Sequence, residues 1–187
     1  MQAGSILLEL PPGLRAQAGD PDPWARALDA AARGDEPGAV FWSGSAGRCR
    51  AAYLFAPDRP LGTGALLDLG LLALFDALAA LAPPQVPLAI ARPAGLLVDG
   101  GRVASVCAAL GPGAVPDWAA LGLEVALDLQ RAAPGETPGE TCLAEEGFGA
   151  LTAPDLLAQT SRHLLLWLDT WHDEGEAALA RAVGRRA

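Results

Sequence analysis

The sequence predicts an α+β fold, a mixed sheet packed by helices, and three observations carry that expectation. Apolar runs of strand-like period alternate with runs of helical period. Two β-rich runs flank Asp99-Gly100-Gly101, a hairpin signal. No internal repeat organises the chain.

Taken in order, Ile6 to Leu10 is a short apolar run followed by Pro11-Pro12-Gly13, which reads as a strand or extended arm over residues 1–19. Asp20-Pro21-Asp22-Pro23 opens an alanine-rich helix from Trp24 that Gly34 ends. Ala39 to Trp42 and Arg48 to Ala56 read as strands, with Tyr53 and Phe55 on one face of the second. Ser43-Gly44-Ser45-Ala46-Gly47 reads as a small-residue loop between them. Leu61 to Ala82 is the longest apolar stretch and is long enough to span a bilayer. Asp68 and Asp76 argue instead for a helix buried in protein, because a carboxylate at membrane depth costs about 2.5–3.5 kcal/mol. Val86 to Ala91 predicts a strand, and 96–106 a hairpin. In 121–129, leucines and valine alternate with Glu124, Ala126 and Asp128, the pattern of a half-buried strand. Residues 131–149 are rich in Gly and Pro and read as a surface loop. Thr152 and Asp155 form a capping-box pair for the last long helix, which carries an apolar stripe through His163, Trp167 and Trp171. A second helix or kinked continuation follows from about Glu174 to Arg185.

Length and composition suit one domain over 1–187: 51% of residues are hydrophobic, 19% are charged, and the net charge is −9. That balance lacks the basic footprint of a nucleic-acid or anionic-membrane binder. All 13 basic residues are arginine, and the chain contains neither lysine nor asparagine. Schiff-base and P-loop chemistry, which need a lysine, are thereby excluded. Cys49, Cys107 and Cys142 are scattered with no Cys-x-x-Cys, which points to reduced thiols in a cytoplasmic protein. Two histidines, His163 and His172, cannot build a His-rich metal site. The adjacent carboxylates Glu145-Glu146 and Asp173-Glu174 diverge on a helix and read as solvated surface rather than a hydrolase pair. His163 reads as a core histidine. Cys107 reads either as a thiol nucleophile or as a buried cysteine.

Several segments together resemble the biotin/lipoate protein ligase family. Ile90-Ala91-Arg92-Pro93-Ala94-Gly95 followed by Leu96-Leu97-Val98-Asp99-Gly100-Gly101-Arg102-Val103-Ala104-Ser105 is similar to the family's Lys-Trp-Pro-Asn-Asp strand and the hairpin after it. Leu121 to Leu127 resembles its Gly-Ile-Gly-Ile-Asn strand, and Trp167 to Gly175 its closing helix. The resemblance covers roughly residues 22–187 and implies the family's α+β catalytic-domain fold. It also implies its chemistry, in which a carboxylate attacks ATP to give an acyl-adenylate that a carrier-protein lysine then attacks.

The family's lysine position is Ala91 here, its tryptophan is Arg92, and its Asn-Asp pair is Ala94-Gly95. On a strand Arg92 points away from the face of Ala91, so it substitutes for the lysine only if a bulge turns it inward. The adenylate-wrapping loop is reduced to Gly44, Ser45, Gly47, Arg48 and Arg50, and the two arginines read equally well as solvent-facing strand residues. The expectation is therefore a degenerate family member that holds an acyl-type ligand or a protein partner. The alternative is an active ligase or acyltransferase using Arg92. The implied ligand-binding set is Gly44, Ser45, Gly47, Arg48, Arg50, Ala91, Pro93, Ala94, Gly95, Val103, Ala104 and Ser105, with Arg92 in the catalytic place and no metal ligand. ATP and Mg enter only if ligase activity survives. The implied partners are a biotinyl or lipoyl carrier protein, or another protein, and a small carboxylate or acyl ligand such as biotin, lipoate or octanoate.

Overall fold

A computed structural model describes residues 8–19, 21–45, 47–129 and 139–187. Among these residues seven strands form one sheet: β1 (Arg15–Ala18), β2 (Ala39–Ser45), β3 (Arg48–Phe55), β4 (Leu88–Ala91), β5 (Gly95–Val98), β6 (Gly101–Leu110) and β7 (Ala119–Ala126). The spatial order is β1-β2-β3-β7-β6-β5-β4, antiparallel except for the parallel pair β1–β2. Among the described residues four helices accompany it: α1 (Pro23–Arg33), α2 (Thr63–Leu81), α3 (Ala153–Glu174) and α4 (Glu176–Gly184). The α+β expectation holds.

The sheet's two faces are covered unequally. Helices α2 and α3 pack on one face, with α4 against α2. Leu66, Leu69, Leu72, Leu74 and Leu78 of α2 join Val125, Leu96, Ile90 and Leu156 in the main core. The long apolar stretch is thus mostly buried inside the protein, as its two aspartates foretold. Each aspartate meets an arginine: Asp68 pairs with Arg92, and Asp76 with Arg186. Trp167 Nε1 also donates to Asp76 at 2.8 Å, and the Arg186 guanidinium lies 5.3 Å from the rings of Phe75 and Trp167. That cluster ties α2, α3 and the C-terminal turn together.

Among the described residues only α1 packs on the other face, over β2, β3 and β7. Its start follows from Asp22, whose carboxylate accepts from Ala25 N at 3.0 Å, and from Pro23, whose fixed φ suits a first turn. Its end follows from Gly34 at φ 71°. The small residues Ala27, Ala30 and Ala31 let it lie close on Phe41, Ala52 and Leu54, with Trp24 and Trp118 at the edges. Among the described residues the rest of that face carries no helix.

Three boundaries differ from the sequence expectation. β1 lies at Arg15–Ala18, not at the Ile6–Leu10 run; Leu8 and Leu10 pack on the core without forming a strand, and residues 1–7 lie outside the described residues. Arg-Ala-Gln-Ala has no strand pattern, and its order comes from backbone pairing with β2. The small-residue loop is largely strand: β2 runs through Ser43, Gly44 and Ser45 in register with Arg50, Cys49 and Arg48. In the 131–149 segment, residues 131–138 lie outside the described residues, but Thr141, Cys142 and Leu143 are buried, with Thr141 N bonded to Arg102 O. The remaining signals perform as expected. Asp99 (φ 46°) and Gly100 (φ 79°) make the β5–β6 turn, Thr152 and Asp155 cap α3 reciprocally, and Gly175 separates α3 from α4.

Candidate functional site

Residues paired across an antiparallel ladder share a face. One row therefore crosses the sheet through Ser43, Arg50, Glu124, Ser105, Gly95 and Ala91, on the face not covered by α2 and α3. The neighbouring row, Gly44, Cys49, Val125, Ala104, Leu96 and Ile90, faces the helices; a Cβ at Gly44 would lie 2.9 Å from Ala153 of α3. A bulge in the β5–β6 ladder falls between Leu96 and Leu97, so Val103 and Ala104 both turn into the core and Arg102 joins Ser105 on the open face.

Two cavities lie on that face. The larger, about 400 Å³, sits between the start of α1 and the sheet; its walls include Asp22, Trp24, Arg50, Ser105, Cys107 and Glu124. The smaller, about 170 Å³, includes Arg48, Arg102, Ser105, Glu124, Glu140 and Thr141. They meet at Ser105 and Glu124. Trp24 and Cys107 press on the floor of the larger one at Gly122. A Cβ there would come within 2.7 Å of the indole and 2.5 Å of Cys107 Sγ, so only glycine fits.

The charges are arranged specifically. Arg48 Nη1 donates to Glu124 Oε1, and Arg50 Nε to Glu124 Oε2, both at 2.7 Å. One carboxylate thus holds both loop arginines. Arg92 takes the opposite direction: its Nη2 lies 3.3 Å from Oδ2 of buried Asp68, on the helix-covered side. Burial raises the Asp68 pKa above the ordinary aspartate value, and Arg92 draws it partly back. Arg102 stands where Arg92 was expected. Its Nη1 would be 2.7 Å from a Cβ at Gly95, whose same point is 3.1 Å from the Ala91 carbonyl oxygen. Among the described residues no carboxylate pairs with Arg102.

Of the sequence-derived set, Arg48, Arg50 and Ser105 line the cavities directly, and Ala91 and Gly95 share their face. Val103 and Ala104 turn toward the core and touch the floor of the smaller cavity, and Gly44 is exposed on the helix-covered side beside Ala153. Gly47 closes the β2–β3 turn against the Asp128 carbonyl, and Pro93 and Ala94 form the β4–β5 turn. The side chain of Ser45 lies outside the described residues. Sequence reasoning missed Arg102, Glu124 and Trp24. The signal for Arg102 was the pair Val103-Ala104, two successive apolar residues that break strand alternation and mark the bulge. No cluster of three or more His, Cys, Asp or Glu stands ready for a metal among the described residues. The convergent carboxylate, Glu124, is occupied by two arginines, so the site does not fit a bound Mg ion.

Residues 10–183 match the Biotin/lipoate A/B protein ligase family, and the chain belongs to that family. A biotin protein ligase-like protein of unknown function from a Silicibacter species is 30% identical, with TM-score 0.85 over 97% of this chain and 81% of that one. A mutant biotin protein ligase from Aquifex aeolicus in complex with biotin superposes with TM-score 0.73 at 13% identity, over 91% and 77% of the two chains. The Leishmania major biotin protein ligase in complex with biotinyl-5-AMP gives 0.66 at 14% identity, over 94% and 81%. The last two likenesses are of fold. The Aquifex enzyme is also known with biotin and ATP together. Among curated proteins there is no match.

Proposed function

We propose that this chain is a degenerate, non-adenylating member of the biotin/lipoate ligase family, a one-domain cytoplasmic module that holds a small carboxylate or acyl compound on its open sheet face. The observation that carries this reading is the commitment of its cations. There is no lysine, Arg92 is engaged by Asp68, and Arg48 and Arg50 are both engaged by Glu124. Adenylation draws two anions together and stabilises charge in the transition state, and losing one such donor costs about 10²–10³ in rate. Among the described residues that line the two cavities, the reading leaves Arg102 available, and its planar fork suits a single carboxylate. Trp24 and Cys107 offer apolar surface to the rest of such a ligand.

A second reading has a specific observation in its favour. Arg102 stands over Ala91 and Gly95 as a cation would in an active ligase or acyltransferase. In that reading ATP, with Mg supplied alongside its phosphates, is a substrate, and a biotinyl or lipoyl carrier protein is the acceptor. In either reading a carrier or other protein is the expected partner. ATP–pyrophosphate exchange with biotin, lipoate and octanoate separates the two. The first expects no exchange above background. Exchange at the rate of an ordinary ligase, abolished by Arg102→Ala and kept by Arg92→Ala, would establish the second.

A further inference from the structure

Glu124 has no counterpart in the sequence-derived site, yet it occupies its centre. Its two carboxylate oxygens each accept one charge-assisted hydrogen bond, from guanidinium groups two residues apart on β3. Glu124 is also the residue at which the two cavities meet, and its register partners are Arg50 on one side and Ser105 on the other. Two guanidiniums aimed at one point are a site for a carboxylate or phosphate. Here the protein supplies that anion itself.

We propose that Glu124 is a built-in anion that closes the Arg48–Arg50 subsite to ligand. The joined cavities then take a compound that is uncharged where it crosses β3 and β7 and anionic only at its Arg102 end. An incoming anion at Arg48 and Arg50 would have to displace Glu124 and then sit beside a carboxylate deprived of both partners. That like-charge contact is unfavourable in a partly desolvated cleft. A neutral amide, ring or chain meets no such penalty and gains apolar contact with Trp24. Among the described residues no carboxylate pairs with Arg102, which faces the smaller cavity. The Glu124 assignment stands on the ion-pair geometry; only the Arg102 end rests on the acyl-carboxylate reading above.

Calorimetric titration of the whole chain with inorganic pyrophosphate tests the closure, and octanoate titrated in the same samples tests the reading beneath it. Glu124→Gln keeps the side chain's size and removes its charge. It should bind pyrophosphate about ten- to hundredfold tighter than the parent, as expected when two charge-assisted bonds become available. Adding Arg50→Ala to that variant should remove the gain. Glu124→Ala provides the same comparison should the glutamine variant fold poorly, which far-UV circular dichroism reports. Equal pyrophosphate affinity in parent and charge-neutral variants overturns the proposal, as does a gain that survives loss of Arg50. Octanoate should bind the parent and lose about tenfold with Arg102→Ala. Absence of octanoate binding beside an intact pyrophosphate gain would discard the acyl-carboxylate reading and leave the Glu124 closure standing.

Discussion

Two single residues set the site's limits. Gly122 leaves no room for a side chain, because Trp24 and Cys107 already occupy the space a Cβ would need. Gly122→Ala should cost about 1–3 kcal/mol through overpacking, read as a lower urea midpoint with unchanged slope. No shift in midpoint would contradict the packing described. Arg92 does not reach the open sheet face; it is the partner of a buried carboxylate, with an Asp68 side chain only 8% exposed. Arg92→Ala should therefore destabilise by about 1–3 kcal/mol, the cost of leaving a buried polar group unpartnered. The loss should depend on pH in a definite direction. Asp68 has a folded pKa above its unfolded one, so between those two values the folded state binds more protons and stability falls as pH rises. Removing Arg92 widens that window upward. The variant's deficit should be larger at neutral pH than below about pH 3, where the carboxyl is protonated in folded and unfolded states alike and the difference is erased. Equal deficits at both would show that Arg92 acts through something other than the Asp68 charge.

At the scale of elements, helix α3 depends on its first turn. Thr152 Oγ1 accepts from Asp155 N at 3.3 Å while Asp155 Oδ2 accepts from Thr152 N at 3.4 Å, and that pair points the helix across α2. Thr152→Ala should cost about 0.5–2 kcal/mol, seen as a fall of a few degrees in Tm. Far-UV circular dichroism at low temperature should stay unchanged, since burial of Leu156, Leu157 and Leu164 still holds the helix. A helix lost outright at low temperature would mean the cap, not the packing, supports α3. The β5–β6 hairpin shows a different dependence. Its turn was legible from Asp99-Gly100, but the bulge that follows decides which side chains reach the open face. Strict alternation from Ser105 would have sent Arg102 to the helix side.

For the whole molecule, the asymmetric covering of the sheet makes thiol chemistry a reporter of the site. All three cysteines are free, Cys49 and Cys142 buried and Cys107 exposed at the larger cavity. Burial pushes the Cys49 thiol up to about 12, so it holds almost no thiolate at neutral pH. Iodoacetamide should label Cys107 first in the native chain, slowly because burial raises its pKa as well, and all three cysteines only after unfolding. A compound that fills the cavity should slow the Cys107 reaction severalfold; mass-spectrometric mapping of the label measures this. Labelling of Cys49 ahead of Cys107 would contradict the burial pattern.

Much of this protein is set by sequence alone. Period and punctuation determine the helices and most strands, because Asp22-Pro23, Gly34, Asp99-Gly100 and Thr152/Asp155 act within a few residues of themselves. The absence of lysine is likewise a property of the sequence, and it removes an entire class of chemistry before any folding. The order of elements, with the proline-to-hairpin spacing, was enough to indicate the family. Tertiary structure decided what depends on distant partners. β1 has no strand signal of its own and is ordered by β2. Arg92 was drawn to Asp68, 24 residues away, and Arg48 and Arg50 to Glu124, more than 70 residues away. The physical reason is that a side chain's charge is local, whereas its availability depends on which counter-charge the fold brings within hydrogen-bond reach. Here the fold neutralised three of the arginines that the sequence offered and left Arg102, turned outward by a one-residue bulge, facing the open cavity.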